Sequence, residues 1–199
     1  MGVLDAQEDR KVSERGVEIN HDFQNFLELA SGLEKGDPGT LICDVDFVIR
    51  FPHKALMSLK FGEIPESSLT ALQNLKDKGW KVLFVTNQPR EGHQIARRMS
   101  RLKGYKAFPE ALEDIFGQEA IIGGGADFLL GFSKSRKGTV EDTVGWLQKN
   151  GTGRVSMVSD QIRDAEFFKK VYEELSRQGE SGVKKDGAMF YKIPGPPIG

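Results

Sequence analysis

Asp44 and Asp46 stand one residue apart, after the apolar run Leu41-Ile42-Cys43 and before another, Phe47-Val48-Ile49. The stretch reads as a buried strand, because Leu, Ile, Val and Phe dominate and Gly39 marks a turn before it. Charges are costly inside such a strand unless paired or metal-bound. Both carboxylates are therefore expected at its carboxyl end, where open α/β sheets hold their ligands. In an extended segment, residues i and i+2 point to the same side, so the pair can face one small volume. Later apolar runs also end in polar groups. Val82-Leu83-Phe84-Val85 leads to Thr86-Asn87, and Val155-Ser156-Met157-Val158 leads to Asp160 and Asp164. Lys137 opens a helical pattern between them. Carboxylates gathered in one place repel each other. Mg²⁺ relieves that repulsion and accepts one or two carboxylates together with phosphate oxygens and water. A carboxylate nucleophile, a second carboxylate as acid and base, the cation, a Lys and a hydroxyl make a phosphoryl-transfer site.

The elements that must position these groups follow from apolar spacing. Helices are expected over Ile19 to Leu33, Pro65 to Lys78, Glu91 to Leu102, Phe108 to Phe116, Thr139 to Lys149 and Ala165 to Arg177. Asp22 is a candidate cap for the first. Strands are expected at Leu41, at Trp80 to Val85, at Ala120 to Ile122, at Arg154 to Val158 and at Ala188 to Ile193. Arg50 to Gly62 reads as a loop leading away from the carboxylates, and Gly179 to Gly187 as a polar loop. Strands alternating with helices predict an α/β fold, a Rossmann-like open, mostly parallel sheet flanked by helices. Gly36-Asp37-Pro38-Gly39 separates an amino-terminal extension, residues 1–38 with one helix, from the main domain, residues 39–199. If the strands are parallel neighbours, their polar ends meet at one edge of the sheet.

Composition narrows the function classes. The 199 residues are 38% hydrophobic, enough for a proper core. The net charge of -1 gives no broad bias toward nucleic acid or anionic membrane. The single cysteine excludes an internal disulfide and any zinc site needing two thiolates, and Cys43 reads as a small buried hydrophobe. His21, His53 and His93 are too scattered for a Cys/His zinc loop. Gly123-Gly124-Gly125 lacks the spacing of a nucleotide loop and reads as a turn. There is no apolar run long enough to span a bilayer and no signal-peptide pattern, so a soluble, cytoplasmic protein is expected.

The order and spacing of these motifs resemble the haloacid dehalogenase superfamily of phosphohydrolases, over roughly residues 40 to 193. Its Asp-x-Asp is matched by Asp44-Val45-Asp46, and its strand-closing Thr by Thr86. The Thr86-Asn87-Gln88 form is similar to the histidinol-phosphatase, heptose-bisphosphate phosphatase and polynucleotide 3′-phosphatase branches. The Lys before a helix is matched by Lys137, with Lys134 as a substitute. The acidic pair is matched by Asp160 and Asp164, with Ser159 replacing Gly. The resemblance implies that Asp44 forms an aspartyl-phosphate, while Asp46 protonates the leaving oxygen and later activates water. Thr86, Asn87 and Lys137 would hold the phosphoryl group. Mg²⁺ would be bound by Asp44, the Asp46 carbonyl, Asp160 and Asp164. One departure stands out: Phe47-Val48 follows the Asp pair where the family usually has Gly-Thr or Gly-Val. Phe47 either shapes the pocket or obstructs it.

The short spacing from Asp46 to Thr86 leaves no room for a large inserted cap domain, so the resemblance is to minimally capped members. The reading is a Mg²⁺-dependent phosphatase acting on a small phosphomonoester, such as a sugar or nucleotide phosphate. Two alternatives stand beside it. One is a nucleic-acid 3′-phosphatase, with Arg90, Arg97, Arg98 and Arg101 beside the site. The other is a non-catalytic binding protein on the same fold. A phospho-acceptor receiver domain ranks last, because no Asp stands on the strand leading to Thr86.

Overall fold

The computed structural model describes residues 17–50, 63–86, 98, 106–123, 137–178 and 182–194. In chain order these form β1 (Val17–Asn20), α1 (Phe26–Leu33), β2 (Thr40–Asp44), α2 (Glu66–Asp77) and β3 (Lys81–Thr86). Then come α3 (Phe108–Phe116), a 3-10 turn (Gln118–Ala120), β4 (Ile121–Gly123) and α4 (Lys137–Asn150). The series ends with β5 (Gly153–Ser159), α5 (Asp164–Gln178) and β6 (Val183–Lys192).

The strands make one six-stranded sheet in the order β1-β6-β5-β2-β3-β4. Each neighbouring pair is parallel. The fold is thus the open, Rossmann-like α/β sheet that the alternation of patterns predicts. β2 is central, and all of its residues are buried, as suits a parallel strand covered on both faces. Its side chains divide by parity. Leu41 and Cys43 join Val82 and Phe84 in a core with α1, α2 and α3. Ile42 joins Leu83, Val85 and Met157 in a core with α4 and α5.

The order in which strands are added reverses at β2. β3 and β4 extend the sheet on one side of it, and β5 and β6 on the other. In sheets of this kind such a reversal marks the place where ligands bind, outside the carboxyl ends of the strands, here those of β2 and β5. At the opposite ends of the same two strands the backbones nearly touch. A Cβ on Gly39 would lie 2.5 Å from the Arg154 carbonyl oxygen, and Gly153, at φ +61°, packs against Pro38.

Two elements differ from the sequence reading. The first helix begins at Phe26, not near Ile19, and Asn25 rather than Asp22 caps it, accepting the Glu28 N–H at 3.0 Å. Val17 to Asn20 is instead a strand beside β6. Val17 and Ile19 alternate toward the α4/α5 core, a period-two signal too short to stand out against the helical spacing that follows it. The second difference is β6, which starts at Val183 inside the expected polar loop. Its pairing to β5 shifts register between Arg154 and Ser156, and Gly187 takes φ +80°. Backbone pairing carries this part of the strand, so its side chains show no apolar pattern. Of the basic stretch 91–102 only Arg98 is described. No helix among the described residues is long and apolar enough to cross a membrane.

Candidate active site

The polar ends of the three central strands do lie side by side. Asp44 ends β2, Thr86 ends β3 and Ser159 ends β5, and β2 pairs with both neighbours. Asp44 is 4% exposed, while Thr86 and Ser159 are fully buried. Asp160 and Asp164 follow on the loop into α5 and are also buried.

The centre of the cluster is a hydroxyl. Ser159 Oγ lies 3.1 Å from Asp44 Oδ2 and 2.6 Å from Asp164 Oδ2. It also accepts the Gln161 N–H at 3.1 Å. A serine hydroxyl has a single proton, so it donates to one of the two carboxylates at a time. Asp44 Oδ1 accepts the Val45 N–H at 2.8 Å, which fixes the carboxylate against its own backbone. Asp164 is the first residue of α5, where the exposed amides of a helix start favour an anion. Asp160 accepts a hydrogen bond from the Gln161 side-chain amide at 2.7 Å.

Asp46 is held differently. Beyond β2 the chain folds back on itself. The Ile49 and Arg50 N–H groups both reach the Val45 carbonyl at 3.2 Å, and the Phe47 N–H reaches the Arg50 carbonyl at 2.8 Å. Phe47 makes this reversal at φ +63°, a left-handed conformation that is costly for a side chain of this size. The reversal returns Arg50 to Asp46. Arg50 Nε donates to Asp46 Oδ1 at 2.7 Å, and Nη2 lies 2.6 Å from the same oxygen as a charge contact. The guanidinium is 1% exposed and sits 4.0 Å from the Phe108 ring centroid. Burial pushes its pKa below the ordinary arginine value, and the charges of Asp46 and then Asp44 oppose that shift.

The structure therefore brings Asp44 and Asp164 together through Ser159, with Thr86 on the adjacent strand end, and ties Asp46 to Arg50. Lys137 begins α4, with its side chain outside the described residues; Asn87 and Lys134 also lie outside them. Sequence reading missed the role of two residues. In the sequence Ser159 reads only as a replacement for Gly. Arg50 reads as the start of a loop, although a lone cation four residues after Asp46, among apolar neighbours, is a usable signal.

Among the described residues, no group of three acidic, His or Cys side chains could hold a metal ion. The donor chemistry nonetheless suits a hard cation. Two carboxylate oxygens converge on one hydroxyl with a single proton, and Mg²⁺ needs only one or two protein carboxylates when substrate oxygens and water complete its shell. Comparison of the chain with family models, with curated proteins and with solved structures gives no match.

Proposed function

We propose that this protein is a Mg²⁺-dependent phosphomonoester hydrolase of the haloacid dehalogenase type, acting on a small sugar or nucleotide phosphate. The observation that carries the proposal is the convergence of Asp44 and Asp164 on Ser159 at the carboxyl ends of the neighbouring strands β2 and β5. A buried pair of carboxylates at that edge is where the sheet would bring a phosphoryl group and its cation.

In this reading an Asp44 carboxylate oxygen attacks phosphorus. The Asp44–phosphorus bond forms, the ester P–O bond breaks, and the alcohol leaves with a proton from Asp46. Water then attacks phosphorus as Asp46 takes a proton back, releasing phosphate and restoring Asp44. Thr86, Asn87 and Lys137 bind phosphoryl oxygens. Asp44 and Asp164 would hold the cation, with Asp160 and the Asp46 carbonyl as further ligands. Bound there, it would neutralise charge on the transferring group.

Steady-state hydrolysis of p-nitrophenyl phosphate tests the proposal. Turnover is expected with Mg²⁺, and it should be lost with EDTA and in Asp44→Asn. A chain that turns over no phosphate ester and binds neither Mg²⁺ nor beryllofluoride would be a binding scaffold instead.

A further inference from the structure

Arg50 is the most anomalous charge among the described residues. Its guanidinium is buried to 1% exposure, and neither Nη1 nor Nη2 has a hydrogen-bond partner among them. The well-formed hydrogen bond is the one from Nε to Asp46. Burying a cation this way is costly, and an apolar side chain of similar volume would fill the space more cheaply. A structural filler does not account for it. Its contact with Asp46 does.

Resting on the phosphatase reading above, we infer that Arg50 is the positioning residue for Asp46, a clamp supplied by the same turn that carries the acid. Two of the three guanidinium nitrogens, Nε and Nη2, lie against Asp46 Oδ1. Oδ2 is left to exchange the proton with the leaving oxygen. Arg50 is buried while the Asp46 side chain keeps 20% exposure, so the acid is anchored without being sealed off. The turn sets up this geometry. Phe47 at positive φ reverses the chain, the Phe47 N–H holds the Arg50 carbonyl, and Phe108 on α3 backs the guanidinium. Asp46 thus gets from its own loop the orientation that general acid catalysis requires.

A positioning role predicts dependence on the leaving group. p-Nitrophenolate leaves readily without a proton, whereas an alkoxide does not. Rapid-quench measurement of alcohol or phenol release in the first turnover should compare p-nitrophenyl phosphate with glycerol 2-phosphate. In Arg50→Met, release from the alkyl ester should slow by about 10- to 100-fold, part of the ~10²–10⁴ that a general acid supplies. Release of p-nitrophenol should change by less than about 3-fold, since the lost proton transfer matters little there. Arg50→Lys should fall between. In an Asp46→Asn background Arg50→Met should add no further loss, because the two act as one unit. Equal losses on both esters, no loss on either, or full additivity with Asp46→Asn would overturn the inference while leaving the phosphatase reading standing. If Arg50→Met fails to fold by circular dichroism, Arg50→Lys, which keeps the charge, decides by the same comparison. A wild-type chain that releases neither product would sink the phosphatase reading, and this inference with it.

Discussion

Asp44 Oδ2 and the Ser159 hydroxyl stand 3.1 Å apart across the seam between β2 and β5, and the same hydroxyl lies 2.6 Å from Asp164. One small side chain thus spaces two buried carboxylates at the carboxyl edge of the sheet. A glycine there would leave that space to water or to a cation.

Removing the hydroxyl should therefore be costly in the absence of metal. Ser159→Ala is expected to lose about 1.5–3 kcal/mol, the range for hydrogen bonds to charged groups. Mg²⁺ should narrow that deficit by taking over the charge between the carboxylates. Thermal melts of both proteins in EDTA and in Mg²⁺ measure it. A deficit that Mg²⁺ leaves unchanged would count against a cation between Asp44 and Asp164.

The turn after β2 makes a second prediction. At φ +63°, position 47 favours glycine over any side chain with a Cβ. Phe47→Gly should be more stable than Phe47→Ala by about 1 kcal/mol, within the cost of left-handed backbone for an L-residue. Urea unfolding of the two variants measures the difference. Alanine equal to or better than glycine would show that the turn relaxes to another conformation.

The sheet architecture is legible in the sequence because β2, β3 and β5 are apolar runs that stop at polar residues. Asp44, Thr86 and Ser159 mark those stops. What links the groups is not legible. Ser159 joins Asp44 and Asp164 only because β2 and β5 become neighbours, and nothing in the sequence orders the strands. Arg50 is hidden for another reason. A buried cation near a carboxylate looks, in one dimension, like the first polar residue of a loop. β1 is invisible because it is four residues long and is held by pairing to β6.

The far end of β2 tests the packing. A Cβ on Gly39 would sit 2.5 Å from the Arg154 carbonyl oxygen, and backbone cannot swing aside as a flexible side chain can. Gly39→Ala should destabilise by about 1–3 kcal/mol, the usual cost of overpacking. Chemical denaturation reads this directly. A neutral result would mean that β2 and β5 separate easily at this end.

Tyr191 gives a prediction in pH. Burial pushes its pKa above the ordinary tyrosine value, opposed by the nearby charge of Arg154 and a hydrogen bond involving Ser156. The folded state therefore holds the phenol proton more tightly than the unfolded chain. The corresponding stability is complete below about pH 10, the unfolded value, and is lost as pH rises through the higher folded value. Tyr191→Phe should remove this part of the alkaline fall. Unfolding midpoints measured from neutral to strongly alkaline pH, in both proteins, show whether it does.

The central claim is that Asp44 becomes phosphorylated. The most direct measurement is to quench the protein during incubation with p-nitrophenyl phosphate and Mg²⁺, reduce it with borohydride and map the modified peptide by mass. An acyl-phosphate on Asp44 would be reduced to homoserine at position 44, and at no other carboxylate. Turnover without any reducible acyl-phosphate, or with the label on Asp46, Asp160 or Asp164, would contradict the account.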